Sequence, residues 1–282
     1  MRERERERER ERACEGPGPL PGRAPSPHPL SPSSPAPQSP SLLYASYARH
    51  LASWGYAVLQ YDLSTIVNLT PDAVELPFLP PVWAWAVGAA GEAGSALNTS
   101  GLLVAGHSRG GKLAALHLCA STAGATPGLP PIVGAALIDP VDNTLFSPES
   151  VLYPSALACV GGSAVSLTGA GVVAACNPPG SNYPSWLAAV APGSWTARLL
   201  KASHATFVDS KVPGVNAAAD AACAPPGGLP HAVAADAAAA QMTAWFDFTV
   251  TPFTDPAVPA LQVAYVAWAT DQGAWMEWAV KA

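Results

Sequence analysis

The chain has 282 residues, a formal net charge of −6 and 12% charged residues, which is enough length for one α/β domain with a sheet buried on both faces and requires no second domain. The Arg and Glu of the first 15 residues cancel, and no cluster of Lys and Arg follows them, so a polyanionic partner is excluded and no nucleic acid is expected to bind. No stretch reaches about 18 consecutive apolar residues, so any membrane contact is expected to be peripheral.

Within residues 1–12, Arg and Glu alternate after Met1, which sets like charges at i,i+4 and favours a solvated arm over a stable helix. Across 16–40 proline recurs every second or third residue; it prevents helix and removes the N–H donors a sheet ladder needs. Residues 1–41 therefore read as a disordered tail and residues 42–282 as the folded domain. The Glu content departs from a transit peptide, and no apolar core marks a secretory signal. The abrupt change of composition at Ser41 reads as a misassigned first exon joined to a genuine domain.

From there the pattern becomes globular. Leu43, Tyr47 and Leu51 repeat at helical spacing up to Trp54, Gly55 ends that helix, and residues 56–61 (YAVLQY) read as a strand. A Trp-rich helical stretch follows at 82–97, then an apolar strand at 102–105, a helix at 109–121 and a strand at 132–138 that runs into a polar loop at Asp139. After a Gly-rich region, 194–201 reads as a strand, and helices are expected at 233–248 and 258–280. Strands alternating with helices imply an α/β fold, a mostly parallel sheet with helices on both faces.

Gly106-His107-Ser108-Arg109-Gly110 fits G-x-S-x-G, in which a serine sits on a tight strand-to-helix turn that only small residues two positions away permit. The apolar run before it and the helical Gly111-Lys112-Leu113-Ala114-Ala115-Leu116 after it supply that context, so Ser108 is the candidate nucleophile. The backbone N–H of Arg109, the next residue, is the candidate oxyanion donor. A serine hydroxyl is a weak nucleophile until an imidazole takes its proton and a carboxylate holds that imidazole in the right tautomer. Asp139 directly follows a predicted strand and is the candidate acid, with Asp142 in reserve. Of the six histidines, His28 is in the tail, His50 and His117 fall within helices, and His107 adjoins the serine. His204 and His231 remain. His204 follows a strand in a small-residue loop of the mobile catalytic kind and is preferred as the base. No metal is called for: the five cysteines are not spaced as a zinc site. Cys176 and Cys223, each near a Pro-Pro-Gly, are a conceivable disulfide.

These residues resemble chlorophyllase of the green-algal type, an α/β-hydrolase. The resemblance rests on GHSRGG at Gly106 to Gly111, on Ala136-Leu137-Ile138-Asp139-Pro140-Val141-Asp142, on Leu51-Ala52-Ser53-Trp54-Gly55-Tyr56, and on Cys176-Asn177-Pro178-Pro179-Gly180 with the His204 loop. It spans about residue 43 to Phe248. It implies a serine hydrolase with Ser108, Asp139 and His204 as triad, no cofactor, chlorophyll or a related pigment ester as substrate, and residence in the chloroplast. Trp83, Trp85, Tyr183 and Trp186 would supply aromatic surface for such a substrate, though aromatics at these spacings serve core packing as readily. The departure lies upstream, where Pro-rich sequence stands in place of the family's N-terminal strand and His-Gly loop. The N-terminal strands are therefore expected to be missing, along with the second oxyanion donor, a loss that typically costs about two to three orders of magnitude in turnover.

Overall fold

A computed structural model of the chain describes residues 28–34, 41–61, 70–92, 94, 97–143, 150–209, 223, 228–251 and 257–282. In chain order, β1 (His28–Ser34) is followed by α1 (Ala45–Ser53), β2 (Tyr56–Gln60), α2 (Asp72–Glu75), α3 (Leu79–Glu92), β3 (Leu102–His107), α4 (Arg109–Thr122) and β4 (Ile132–Ile138). Then come β5 (Ser166–Ala170), α5 (Tyr183–Ala189), β6 (Trp195–Leu199), α6 (His231–Val250), α7 (Ala257–Asp271) and β7 (Met276–Val280). The strands form one seven-stranded sheet in the order β2-β1-β3-β4-β5-β6-β7. All pairs are parallel except β6 with β7. This is the α/β architecture expected, with the G-x-S-x-G turn leaving the end of β3.

The alternation of side chains on β3 and β4 divides the core in two. Leu103, Ala105, Ala136 and Ile138 pack with residues of α1, α6 and α7, whereas Leu102, Val104, Ala135 and Leu137 pack with residues of α3, α4 and α5. Successive residues of a strand face opposite ways, so a strand apolar at every position must be covered on both sides. The buried alanines of α6, Ala234, Ala235 and Ala237 to Ala240, bring that helix close against the sheet. There Gln241, wholly buried, donates from Nε2 to the Leu167 and Trp195 carbonyls at 3.2 Å each and accepts from Tyr265 Oη at 3.1 Å. A buried amide is tolerated because its donors and acceptor are satisfied.

Four expectations need correcting. Residues 28–34, read as part of a tail without ladder pairing, form β1 between β2 and β3, so an N-terminal strand is present after all. Its ladder to β2 is irregular between His28 and Ser31, where Pro29 lies, and among the described residues its register partners on β3 are those of Ser33 and Ser34. Proline removes one donor at a time, and a short strand with a broken register accommodates that loss. The rest of the expected tail lies outside the described residues, save Ser41, which opens a short 3₁₀ turn over Ser41–Tyr44. The Gly-rich region holds β5 and α5, which polar, glycine-interrupted sequence concealed. Helix α7 stops at Asp271, and the end of the chain, expected to be helical to 280, is an antiparallel strand on β6. Finally, the Trp-rich helix spans 79–92, not 82–97.

Candidate active site

The turn between β3 and α4 puts Ser108 at φ 57°, ψ −128°, a conformation that L-residues adopt only when their surroundings impose it. Those surroundings are specific. Ser108 N–H donates to the Ile138 carbonyl at 3.0 Å, and the Ser108 carbonyl accepts from Gly111 and Lys112 at 3.0 and 3.2 Å and from Val141 at 3.3 Å. A Cβ on Gly106 would lie 2.2 Å from the Gly110 carbonyl group, so the spacing in the motif reflects strand and helix crossing in contact.

Asp139 leaves β4 on the same edge of the sheet, also with positive φ, at 36°. Its carboxylate is wholly buried. Oδ1 accepts from Ala170 N–H at 2.8 Å, and Oδ2 accepts from Asn177 Nδ2 at 3.3 Å and from His204 Nδ1 at 2.7 Å. His204 Nε2 lies 2.8 Å from Ser108 Oγ. Because the carboxylate only accepts, the His204 proton sits on Nδ1, and Nε2 presents its lone pair to the serine hydroxyl. An imidazole so held can take the Ser108 proton as the oxygen attacks, and the carboxylate stabilises the imidazolium that forms.

Ser108, Asp139 and His204 are thus brought together as the sequence placed them, from the ends of three different strands. His204 is not in an open loop, however. It begins a buried 3₁₀ turn, His204–Phe207, which Ser203 and Thr206 cap reciprocally. The reserve acid Asp142 is held elsewhere: it accepts from Ser155 Oγ at 2.5 Å and Ala156 N–H at 2.6 Å. His231 is the first residue of α6, and His204 occupies the position between serine and acid. Arg109 opens α4, so its N–H stands at the helix N-terminus beside Ser108, where backbone donors face outward. The expected loss of a second donor concerns sequence before Ser41, of which residues 35–40 lie outside the described residues.

Three features were not read from the sequence. Asn177 joins Asp139, and also donates to the Val172 carbonyl at 3.2 Å and accepts from Ala174 N–H at 2.6 Å. His107 lies beneath His204, with ring centroids 4.6 Å apart. Under α4, a buried ion cluster forms: Asp72 Oδ1 bonds Arg109 Nε at 2.5 Å, Asp72 Oδ2 bonds Lys112 Nζ at 2.8 Å, and Glu75 Oε2 bonds Arg109 Nη1 at 2.8 Å. Two acids and two bases balance there, and the Arg109 side chain is turned into this cluster. Of the aromatics offered for an apolar substrate, Trp83, Tyr183 and Trp186 are core residues and only Trp85 is exposed.

Cys176 and Cys223 form a disulfide, and Cys119 pairs with Cys159, a bridge the sequence did not suggest. The first ties the Asn177 turn to chain that follows the His204 turn. Among the described residues no group of three or more His, Cys, Asp or Glu side chains could hold a metal ion, and no helix is long and apolar enough to cross a membrane.

No family model matches the chain, and no curated protein matches it. Among solved structures it is similar to esterase B from Lactobacillus rhamnosis, at 18% identity over 54% of this chain and 58% of that one, with a TM-score of 0.38. The same enzyme inhibited by a tributyrin phosphonate gives 20% identity, 52% and 56% coverage and a TM-score of 0.36. A structure in a study of two fungal esterases from Rhizomucor miehei gives 22%, 49% and 44%, and 0.32. The chain spans little more than half the length of esterase B, and likenesses this distant decide nothing about its chemistry.

Proposed function

We propose that this protein hydrolyses carboxylic esters by acyl transfer through Ser108. The observation that carries the reading is the unbroken chain from Ser108 Oγ to His204 at 2.8 Å and from His204 to buried Asp139 at 2.7 Å. Ser108 attacks the ester carbonyl while His204 Nε2 takes its proton, and Asp139 holds the tautomer and offsets the positive charge. The Arg109 N–H meets the developing oxyanion. His204 then protonates the leaving alcohol, water enters by the reverse route, and the acid product departs.

For the substrate we propose the phytyl ester of chlorophyll, cleaved to chlorophyllide and phytol in the chloroplast. This finer reading rests on the resemblance of GHSRGG at Gly106 to Gly111 and of the segment ending Asp139-Pro140-Val141-Asp142. Exposed Val74, Phe78, Val151 and Leu152 lie on two segments joined by the Ala73 N–H to Leu152 carbonyl bond at 3.1 Å, and such apolar surface suits a pigment dispersed in lipid. Nothing in the Ser108 geometry selects one acyl group over another, so a general carboxylesterase is the second reading.

The test compares chlorophyllide release from detergent-dispersed chlorophyll with hydrolysis of a short p-nitrophenyl ester. Chlorophyllide release by the wild-type chain, lost in Ser108→Ala by about three orders of magnitude or more, supports the full reading. Turnover of the short ester alone removes chlorophyll as substrate, and turnover of neither by a folded sample removes the ester hydrolase.

A further inference from the structure

We propose that Tyr44 and His107 are positioning residues that set the catalytic imidazole of His204 through its own backbone carbonyl; this rests on the reading of His204 as the base. His107 closes β3 with its ring buried. Its Nε2 lies 3.0 Å from the His204 carbonyl oxygen and its Nδ1 lies 2.8 Å from Tyr44 Oη. A carbonyl only accepts, so Nε2 carries the hydrogen. Burial, and secondarily the neighbouring His204, hold the His107 pKa well below its ordinary value, so no second proton occupies Nδ1. The Tyr44 hydroxyl therefore donates to Nδ1, and a directed chain runs from Tyr44 O–H through the ring to the His204 main chain.

That chain belongs to a wider fastening. Tyr47 Oη donates to the Phe207 carbonyl at 2.8 Å, Asp209 N–H donates to the Leu43 carbonyl at 2.7 Å, and Ser46 N–H donates to Asp209 Oδ2 at 2.9 Å. The whole turn after β6 is thus held against the start of α1, but only the His107 bond acts on His204 itself. Without the Tyr44 hydroxyl, the His107 proton stays on Nε2, but buried Nδ1 loses its donor and the ring loses one of the two bonds that fix its orientation. A ring held only at Nε2 can turn, and its bond to the His204 carbonyl weakens. The His204 main chain is then free to shift, carrying its own Nε2 away from Ser108, and a misplacement of about 1 Å can cost roughly a hundredfold in rate. His107 also has to stay neutral, because the imidazolium formed on His204 during turnover lies against its face.

Three variants test this. Tyr44→Phe removes only the hydroxyl, His107→Phe keeps a ring but no donor, and His107→Gln restores an N–H near the Nε2 position. On a soluble ester we expect His107→Phe to lower kcat by about a hundredfold with KM little changed. Tyr44→Phe should lower it about fivefold to tenfold, the worth of one buried hydrogen bond. His107→Gln should recover most of the loss seen in His107→Phe. The rate of phosphonylation of Ser108 by a fluorophosphonate should fall in the same order. Wild-type kcat in both Tyr44→Phe and His107→Phe, a loss confined to KM, or a His107→Gln no better than His107→Phe would overturn the proposal. Should His107→Phe not fold, Tyr44→Phe and His107→Gln decide it. A wild-type chain that fails to label overturns the nucleophile reading instead. The positioning claim is then read from the proton resonance of His204 Nδ1–H: a shift or loss in Tyr44→Phe supports it, and an unchanged signal in all three variants contradicts it.

Discussion

Asn177 Nδ2 lies 3.3 Å from Asp139 Oδ2, the carboxylate oxygen that also accepts the hydrogen bond from His204 Nδ1. With Ala170 N–H on Oδ1, this fixes the carboxylate's rotation before any substrate arrives. Asn177→Ala frees one oxygen of that constraint, and kcat should fall about tenfold, in the range found when a group orienting a site residue is removed. Steady-state kinetics with a soluble ester checks this, and an unchanged kcat would confine Asn177 to shaping its own turn.

Under α4, Asp72 divides its two oxygens between Arg109 and Lys112. Asp72→Asn leaves two buried cations with the single Glu75 carboxylate. Removing one partner of a buried ion pair costs about 3–5 kcal/mol, which chemical denaturation should register. A loss below about 1 kcal/mol would mean that solvent reaches the cluster.

His117 is buried on α4, and burial pushes its pKa down from 6.5 to about 4. Between those values the unfolded chain binds a proton that the folded chain refuses. The associated stability is therefore complete above pH 6.5 and declines as pH falls towards 4. At about 1.4 kcal/mol per pKa unit the loss approaches roughly 3 kcal/mol. His107, lowered for the same reason, adds to it in the same direction. Melting temperature followed from pH 7.5 to 4.5 should fall more steeply for the wild type than for His117→Gln, and parallel curves would contradict the assignment.

Gly106→Ala places a methyl group 2.2 Å from the Gly110 carbonyl group, backbone against backbone. Neither side can yield without moving β3 or α4, so the variant should yield no folded protein in a solubility and circular dichroism screen. A folded, active Gly106→Ala would show that the turn can open.

What was legible in the sequence was local. Ser108 lies in a strand-turn-helix whose glycines announce a close crossing, Asp139 directly follows an apolar strand and His204 comes a few residues after another, so their position at one edge of a parallel sheet followed from the alternation of elements. Asn177 reaches Asp139 across 38 residues from inside an irregular turn, and the Asp72–Arg109 pair spans 37; neither is encoded in any periodicity. Strand β5 (SLTGA) is short and half polar, and β1 carries two prolines, so each was hidden by residues that disfavour the strand state in isolation and are outvoted by neighbouring strands.

The whole scheme turns on Ser108 as the activated nucleophile. Intact-mass spectrometry of the folded chain after exposure to a fluorophosphonate tests it most directly. One phosphonyl group per chain is expected, located on Ser108, and none on Ser108→Ala. An adduct that persists in Ser108→Ala, or a folded wild-type chain that stays unlabelled, would contradict it.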